Sequence, residues 1–161
     1  MINPSGETLA PPQLASFGDD LAVAVIGASG GLGGAFVAAL ETTPSVARVA
    51  ALSRSPITPG ATKTSWQAID LEQEESIAAA AERLRADCGA LHLVIVATGL
   101  LHDAAGLQPE KTWRSLDAAS LQRAFAVNAT GPALVAKHFL PLLARNRKAV
   151  FAALSARVGS I

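Results

Sequence analysis

Five glycines fall within eight residues of this chain, Gly27-Ala28-Ser29-Gly30-Gly31-Leu32-Gly33-Gly34, directly after an apolar run at 21–26. Glycine lets a backbone turn sharply and approach a pyrophosphate closely, and the helix expected to follow offers free N–H groups and the positive end of its dipole. That is chemistry for holding a dinucleotide. The spacing Gly27-x-x-x-Gly31-x-Gly33 differs from the commoner G-x-G-x-x-G, and a flexible glycine-rich surface turn is the alternative reading.

Further polar residues follow each later apolar run. Arg54, flanked by Ser53 and Ser55, stands 21 residues beyond Gly33, where an NAD-selective protein carries a carboxylate for the ribose hydroxyls. A guanidinium there suits the 2′-phosphate of NADP through paired hydrogen bonds; the alternative is a solvated arginine at a strand end. Asp70 can accept from an adenine amino group while Leu71 packs on the ring, or Asp70 can cap the helix that follows. Ala97-Thr98-Gly99 is small enough for the chain to pass beneath a cofactor. Asn128 sits in an apolar helical stretch followed by Gly131-Pro132, a pattern that disfavours a regular helix and points either to a functional polar group or to a structural kink.

These positions imply a scaffold of alternating strands and helices. Strands are expected at 21–26, 46–52, 64–69, 91–97 and 148–154, and helices at 32–41, 72–87 and 117–146, with Asp117 or Ser120 as the last one's cap. Residues 101–116 lack a period and contain Gly106 and Pro109, so they are expected as a loop. Strand–helix alternation implies an α/β fold: a Rossmann-type doubly wound parallel sheet of about five strands, order 3-2-1-4-5, with ligands beyond the strands' carboxyl ends. Residues 1–20, polar and carrying Pro4, Pro11 and Pro12, are expected as a flexible tail ahead of a single dinucleotide-binding domain at 21–161.

Composition narrows the function classes. The 13 basic and 13 acidic residues of the 161 cancel, which removes the electrostatic case for nucleic acid or an anionic membrane as partner. Cys88 is the single cysteine and reads as a small apolar residue near a helix end, which fits a reducing compartment. No signal peptide pattern and no apolar run of membrane length is present, so a soluble, cytoplasmic protein is expected. His92, His102 and His138 have no metal-ligand spacing; His92 and His138 read as ordinary strand or helix residues, while His102 and Asp103 are candidates to line a pocket.

From Ala22 onward these motifs resemble the short-chain dehydrogenase/reductase family. The glycine stretch resembles its cofactor loop, which implies that Gly27, Ser29, Gly31, Leu32 and Gly33 touch the cofactor. Ala97-Thr98-Gly99 stands where the family has Asn-Asn-Ala-Gly, with both asparagines missing. Val127-Asn128-Ala129-Thr130-Gly131 resembles the motif of the active-site asparagine. The segment at 151–161 resembles the turn that carries the catalytic serine, in the Ser-x-x-x-Gly-Ser-Ile form of the C-factor-like branch. Ser155 is the candidate, although the family's second adjacent serine is replaced by Ala156; Ser160 is the fallback.

The resemblance implies hydride transfer between a nicotinamide and a small carbonyl or alcohol, with NADP favoured over NAD and a homo-oligomer expected. In the family a Tyr-x-x-x-Lys pair just beyond the serine turn supplies the proton. This sequence has no tyrosine. The expectation is therefore the N-terminal part of such a reductase, truncated before the last strands and inactive by itself, with the fifth strand left as an uncovered apolar edge. A non-catalytic NADP-binding or regulatory protein is the alternative, and a doubly wound methyltransferase is a third reading.

Overall fold

The computed structural model describes residues 13–102 and 107–155. Its sheet has five parallel strands: β1 (Leu21–Ile26), β2 (Val46–Ser53), β3 (Thr64–Ala68), β4 (Leu93–Val96) and β5 (Val150–Ala153). Their order is β3-β2-β1-β4-β5, as the strand and helix alternation predicts. The order reverses between β1 and β4, which opens a crevice at their carboxyl ends.

The alternation of side chains along β1 decides which helix lies on which face. Leu21, Val23 and Val25 join Val49 and Ala51 of β2 under Val37 and Leu40 of helix α1 (Gly31–Glu41). Ala22, Ala24 and Ile26 face the other way, toward Ile77, Ala81 and Leu84 of α2 (Glu74–Cys88) and Val135 and Phe139 of α4 (Gly131–Phe139). Both faces of β1 are therefore covered, and all six of its residues are buried. Phe139 is fully buried and is the largest side chain of the cluster on that face.

Several boundaries differ from the sequence expectation. α2 begins at Glu74, with Gln73 and not Asp70 at its N-cap position. Asp70 instead shapes the preceding turn, its Oδ1 accepting from the Glu72 N–H at 3.0 Å. β4 is shorter than 91–97 because Leu91 pairs with Leu143 in an isolated bridge outside the ladder. The expected helix at 117–146 is not continuous. It runs as α3 (Ala118–Phe125), one π turn (Ala126–Thr130), α4, and a 3-10 turn (Leu140–Leu142). Asp117 does cap α3, accepting from Ser120 N–H at 2.8 Å, and that bond holds its carboxyl below the usual range. Within the expected loop, Trp113–Ser115 form a short 3-10 turn.

Among the described residues β5 pairs with β4 alone, at the end of the strand order; its first three residues are half-buried and Ala153 is exposed. Ahead of β1, Ala15–Phe17 form a 3-10 turn. Of the segment expected as a tail, residues 13–20 lie against the strands' amino ends, where Arg147 donates to Phe17 O and Asp19 O. Among the described residues no helix is long and apolar enough to cross a membrane, and no cluster of His, Cys, Asp and Glu could hold a metal.

Candidate cofactor site

The turn after β1 is built by two glycines whose reasons are internal to the chain. Gly27 has φ +88°, and a Cβ there would meet Ala97 O at 2.9 Å. A Cβ on Gly33 would run into the Gly27 carbonyl. The loop itself hangs from β2, with Gly27 N–H and Ala28 N–H both donating to Leu52 O. Gly31 is different, since a Cβ there would meet nothing within 4 Å. α1 starts at this residue with Gly30 as N-cap and no side chain capping it, so the first-turn N–H groups lack a side-chain acceptor.

Beside the turn lies a cavity of about 260 Å³ at the carboxyl ends of β1 to β4. Gly27 and Ser29 line it from the loop, Ser53 and Arg54 from β2, Asp70 and Leu71 from the turn after β3, and Ala97, Thr98 and Gly99 from β4. Nine of the residues singled out in the sequence thus share one cavity. Gly31, Leu32 and Gly33 do not line it; they form the first turn of α1, with Leu32 exposed.

The polar groups of the cavity fall into two sets. Ser53 is buried and already engaged, its hydroxyl donating to Ser55 O at 2.7 Å and accepting from Trp66 Nε1 at 3.0 Å. It therefore shapes the turn that carries Arg54. Asp70 likewise accepts from the chain's own Glu72 N–H and the Gln73 amide. Arg54, in contrast, is exposed and has no hydrogen bond or ion pair among the described residues. Thr98 Oγ1 is buried without a hydrogen-bond partner. An unpaired guanidinium, an uncapped helix start and room above Gly31 together fit an anionic dinucleotide.

Asn128 lies on the π turn and not in the cavity wall. Its Oδ1 accepts from Leu100 N–H and its Nδ2 donates to Leu100 O, both at 2.7 Å. The amide thus fixes the backbone just past Gly99, which is itself in the cavity wall. The π turn widens the helix locally, a distortion frequent at functional sites. It leads into Gly131, where a Cβ would come within 2.8 Å of Leu71 Cβ, so the helix packs directly on the turn after β3. Ser155 is exposed, just past β5, and does not line the cavity. Ala156, Ser160 and the rest of the Ser-x-x-x-Gly-Ser-Ile segment lie outside the described residues, as does Asp103; His102 is exposed.

Sequence reasoning missed Gly30, Ser55, Ile69, Glu72, Leu100, Arg123 and Val127, all of which line the cavity. Gly30, Ser55, Ile69, Glu72 and Leu100 adjoin residues already singled out, so widening each motif by one position finds them. Arg123 carries no such signal. It pairs with Glu72 across 51 residues of sequence, Nε to Oε1 at 3.3 Å.

The sequence profile of the short chain dehydrogenase family matches residues 21–160. The chain belongs to this family. Members bind nicotinamide cofactors. Among solved structures it is similar to the KRED1-Pglu enzyme, at 26% identity and a TM-score of 0.76, over 88% of this chain and 58% of that one. It is also similar to NADPH-bound carbonyl reductase from chicken fatty liver, at 21% identity and a TM-score of 0.77, over 91% and 61%. A third is the putative carbonyl reductase Sniffer of Caenorhabditis elegans, at 21% and 0.77, over 89% and 65%. The last two likenesses concern the fold. This chain spans between 50% and 65% of the length of such structures. The comparison with curated proteins found no match.

Proposed function

We propose that this chain is the cofactor-binding portion of an NADP-dependent oxidoreductase that moves hydride between the nicotinamide and a small carbonyl or alcohol. The observation that carries the proposal is Arg54. It stands just past β2 in the cavity wall, where NAD-selective proteins of this fold place a carboxylate, and it has no partner among the described residues. A free guanidinium there is a seat for a 2′-phosphate. The carbonyl reductase from chicken fatty liver, similar in fold, is a structure with NADPH bound.

In this reading the first turn of α1 takes the pyrophosphate, Arg54 the 2′-phosphate, and Asp70 with Leu71 the adenine. Asn128 is a positioning residue that holds the backbone at Leu100, and Ser155 is the group that hydrogen-bonds the substrate oxygen. The bound nicotinamide supplies or accepts the hydride. The proton must come from a separate acid, and these 161 residues contain no tyrosine to be the family's usual one. The chain alone therefore binds NADP and does not turn over. A cytoplasmic, homo-oligomeric parent enzyme belongs to the same proposal.

Titrating the 161-residue chain into NADPH, followed by nicotinamide fluorescence, tests it. Saturable binding with weaker binding of NADH is expected, and substrate turnover is not. No binding at high micromolar NADPH overturns the proposal, and binding of S-adenosylmethionine in its place would favour the methyltransferase reading.

A further inference from the structure

The cavity is lined by two carboxylates, Asp70 and Glu72, and two guanidiniums, Arg54 and Arg123. A dinucleotide with a 2′-phosphate brings several negative charges into it. The Asp70 oxygens accept from backbone and amide donors of their own turn, whereas Glu72 is paired with the guanidinium of Arg123. Both side chains of that pair are about one-third exposed, at 35% and 31%. Such a partly exposed pair contributes little to folding. Its place in the cavity wall gives it another consequence.

We propose that Arg123 is a charge-balancing residue of the dinucleotide site: it neutralises Glu72 so that a phosphate-rich ligand is accepted, and it thereby sets part of the preference for NADP over NAD. The inference rests on the NADP reading above. Arg54 contacts the ligand in that reading, whereas Arg123 acts through Glu72 and through the field in the cavity. Without Arg123 the Glu72 carboxylate adds its negative charge to the wall of the cavity that takes the phosphates. Without the Glu72 carboxylate one negative charge leaves the cavity wall and the field becomes more positive. The two substitutions must therefore act in opposite directions, which a mechanical clamp between α3 and the turn after β3 does not predict.

The test is a fluorescence titration of the full chain with NADPH and with NADH, at low and at high salt, for Arg123→Gln, Glu72→Gln and the double variant. Arg123→Gln should weaken NADPH by about three- to tenfold at low salt, the scale for one unit charge acting across a partly solvated cavity, and NADH by less. Glu72→Gln should tighten NADPH by about two- to fivefold, and the double variant should lie near the parent, with all differences shrinking at high salt. Melting temperatures, nearly unchanged in all three, show that the variants fold. Equal weakening by both single substitutions, or no effect of either, overturns the charge-balancing role and leaves the NADP reading standing. Failure of the unsubstituted chain to bind NADPH overturns the NADP reading and this inference with it.

Discussion

At the amino ends of the strands, polar side chains are tied to the chain itself. Arg147 donates to Phe17 O at 3.1 and 2.6 Å and to Asp19 O at 2.7 Å, and Lys148 donates to Ser16 Oγ and lies over the Phe17 ring. Lys63 caps two carbonyls, Thr43 O and Val46 O, and the buried His92 accepts from Ala22 N–H. Thr64 Oγ1, buried without a partner among the described residues, is the exception. At the carboxyl ends Ser53 and Asp70 are engaged as well, but among the described residues Arg54 has no hydrogen bond or ion pair, Thr98 Oγ1 is buried without a partner, and α1 starts uncapped beneath an open Gly31. The amino end keeps its cationic side chains on its own carbonyls, whereas the carboxyl end presents a guanidinium and a helix start that the described residues do not cap. Burial alone does not separate them, since β1 is equally buried along its whole length.

The largest effect should come from the glycine turn. Gly33→Ala forces a Cβ into the Gly27 carbonyl and should cost about 3 kcal/mol or more, read as a lowered urea midpoint, because the atoms it meets are backbone and cannot rotate away. Gly31→Ala, where the space is open, should fold at least as well as the parent and instead lose NADPH affinity by about tenfold, or ~1.4 kcal/mol. Equal destabilisation by both would erase the distinction between glycines needed by the fold and glycines left for a ligand.

Next in size is Arg54→Gln. Loss of a charge-assisted phosphate contact should weaken NADPH by about ten- to a hundredfold, on the order of 1.5–3 kcal/mol, and leave NADH binding and melting temperature unchanged. At the opposite end, Arg147→Ala should show the converse profile: about 1 kcal/mol of stability lost, given its exposed setting, with NADPH affinity intact.

The smallest effect is on pH dependence. Burial first, and the nearby Arg147 cation second, push the His92 imidazole below its ordinary 6.5. The folded chain then binds a proton less readily than the unfolded one. The stability that His92 contributes is full above about pH 6.5 and is lost as pH falls below that, because the protonated ring cannot accept the Ala22 N–H. Urea midpoints measured above and below pH 6.5 should show this decline, and His92→Asn should flatten it.

Local features were the ones legible in the sequence. The apolar run of β1, the glycine turn, the Asp117 cap and the strand order all follow from patterns within a few residues or from the handedness of parallel crossovers. The nine cavity residues singled out in the sequence were legible for the same reason, because each stands at or just past the end of a recognisable strand. What was hidden depends on partners far along the chain. The Glu72 to Arg123 pair joins residues 51 apart, and the engagement of Ser53 depends on Trp66 from the next strand. The π turn at Ala126–Thr130 accompanies the double hydrogen bond of Asn128 to Leu100, 28 residues earlier, which no helical periodicity reveals.

The most direct test of a ligand-seeking carboxyl end is a map of backbone amide shifts on adding NADPH to isotope-labelled chain. Shifts should concentrate at residues 27–33, 53–55, 69–72 and 97–100, with residues 17–22, 92 and 147–148 unmoved. Shifts centred on the amino-end group, or none in the glycine turn at saturating NADPH, would contradict the account.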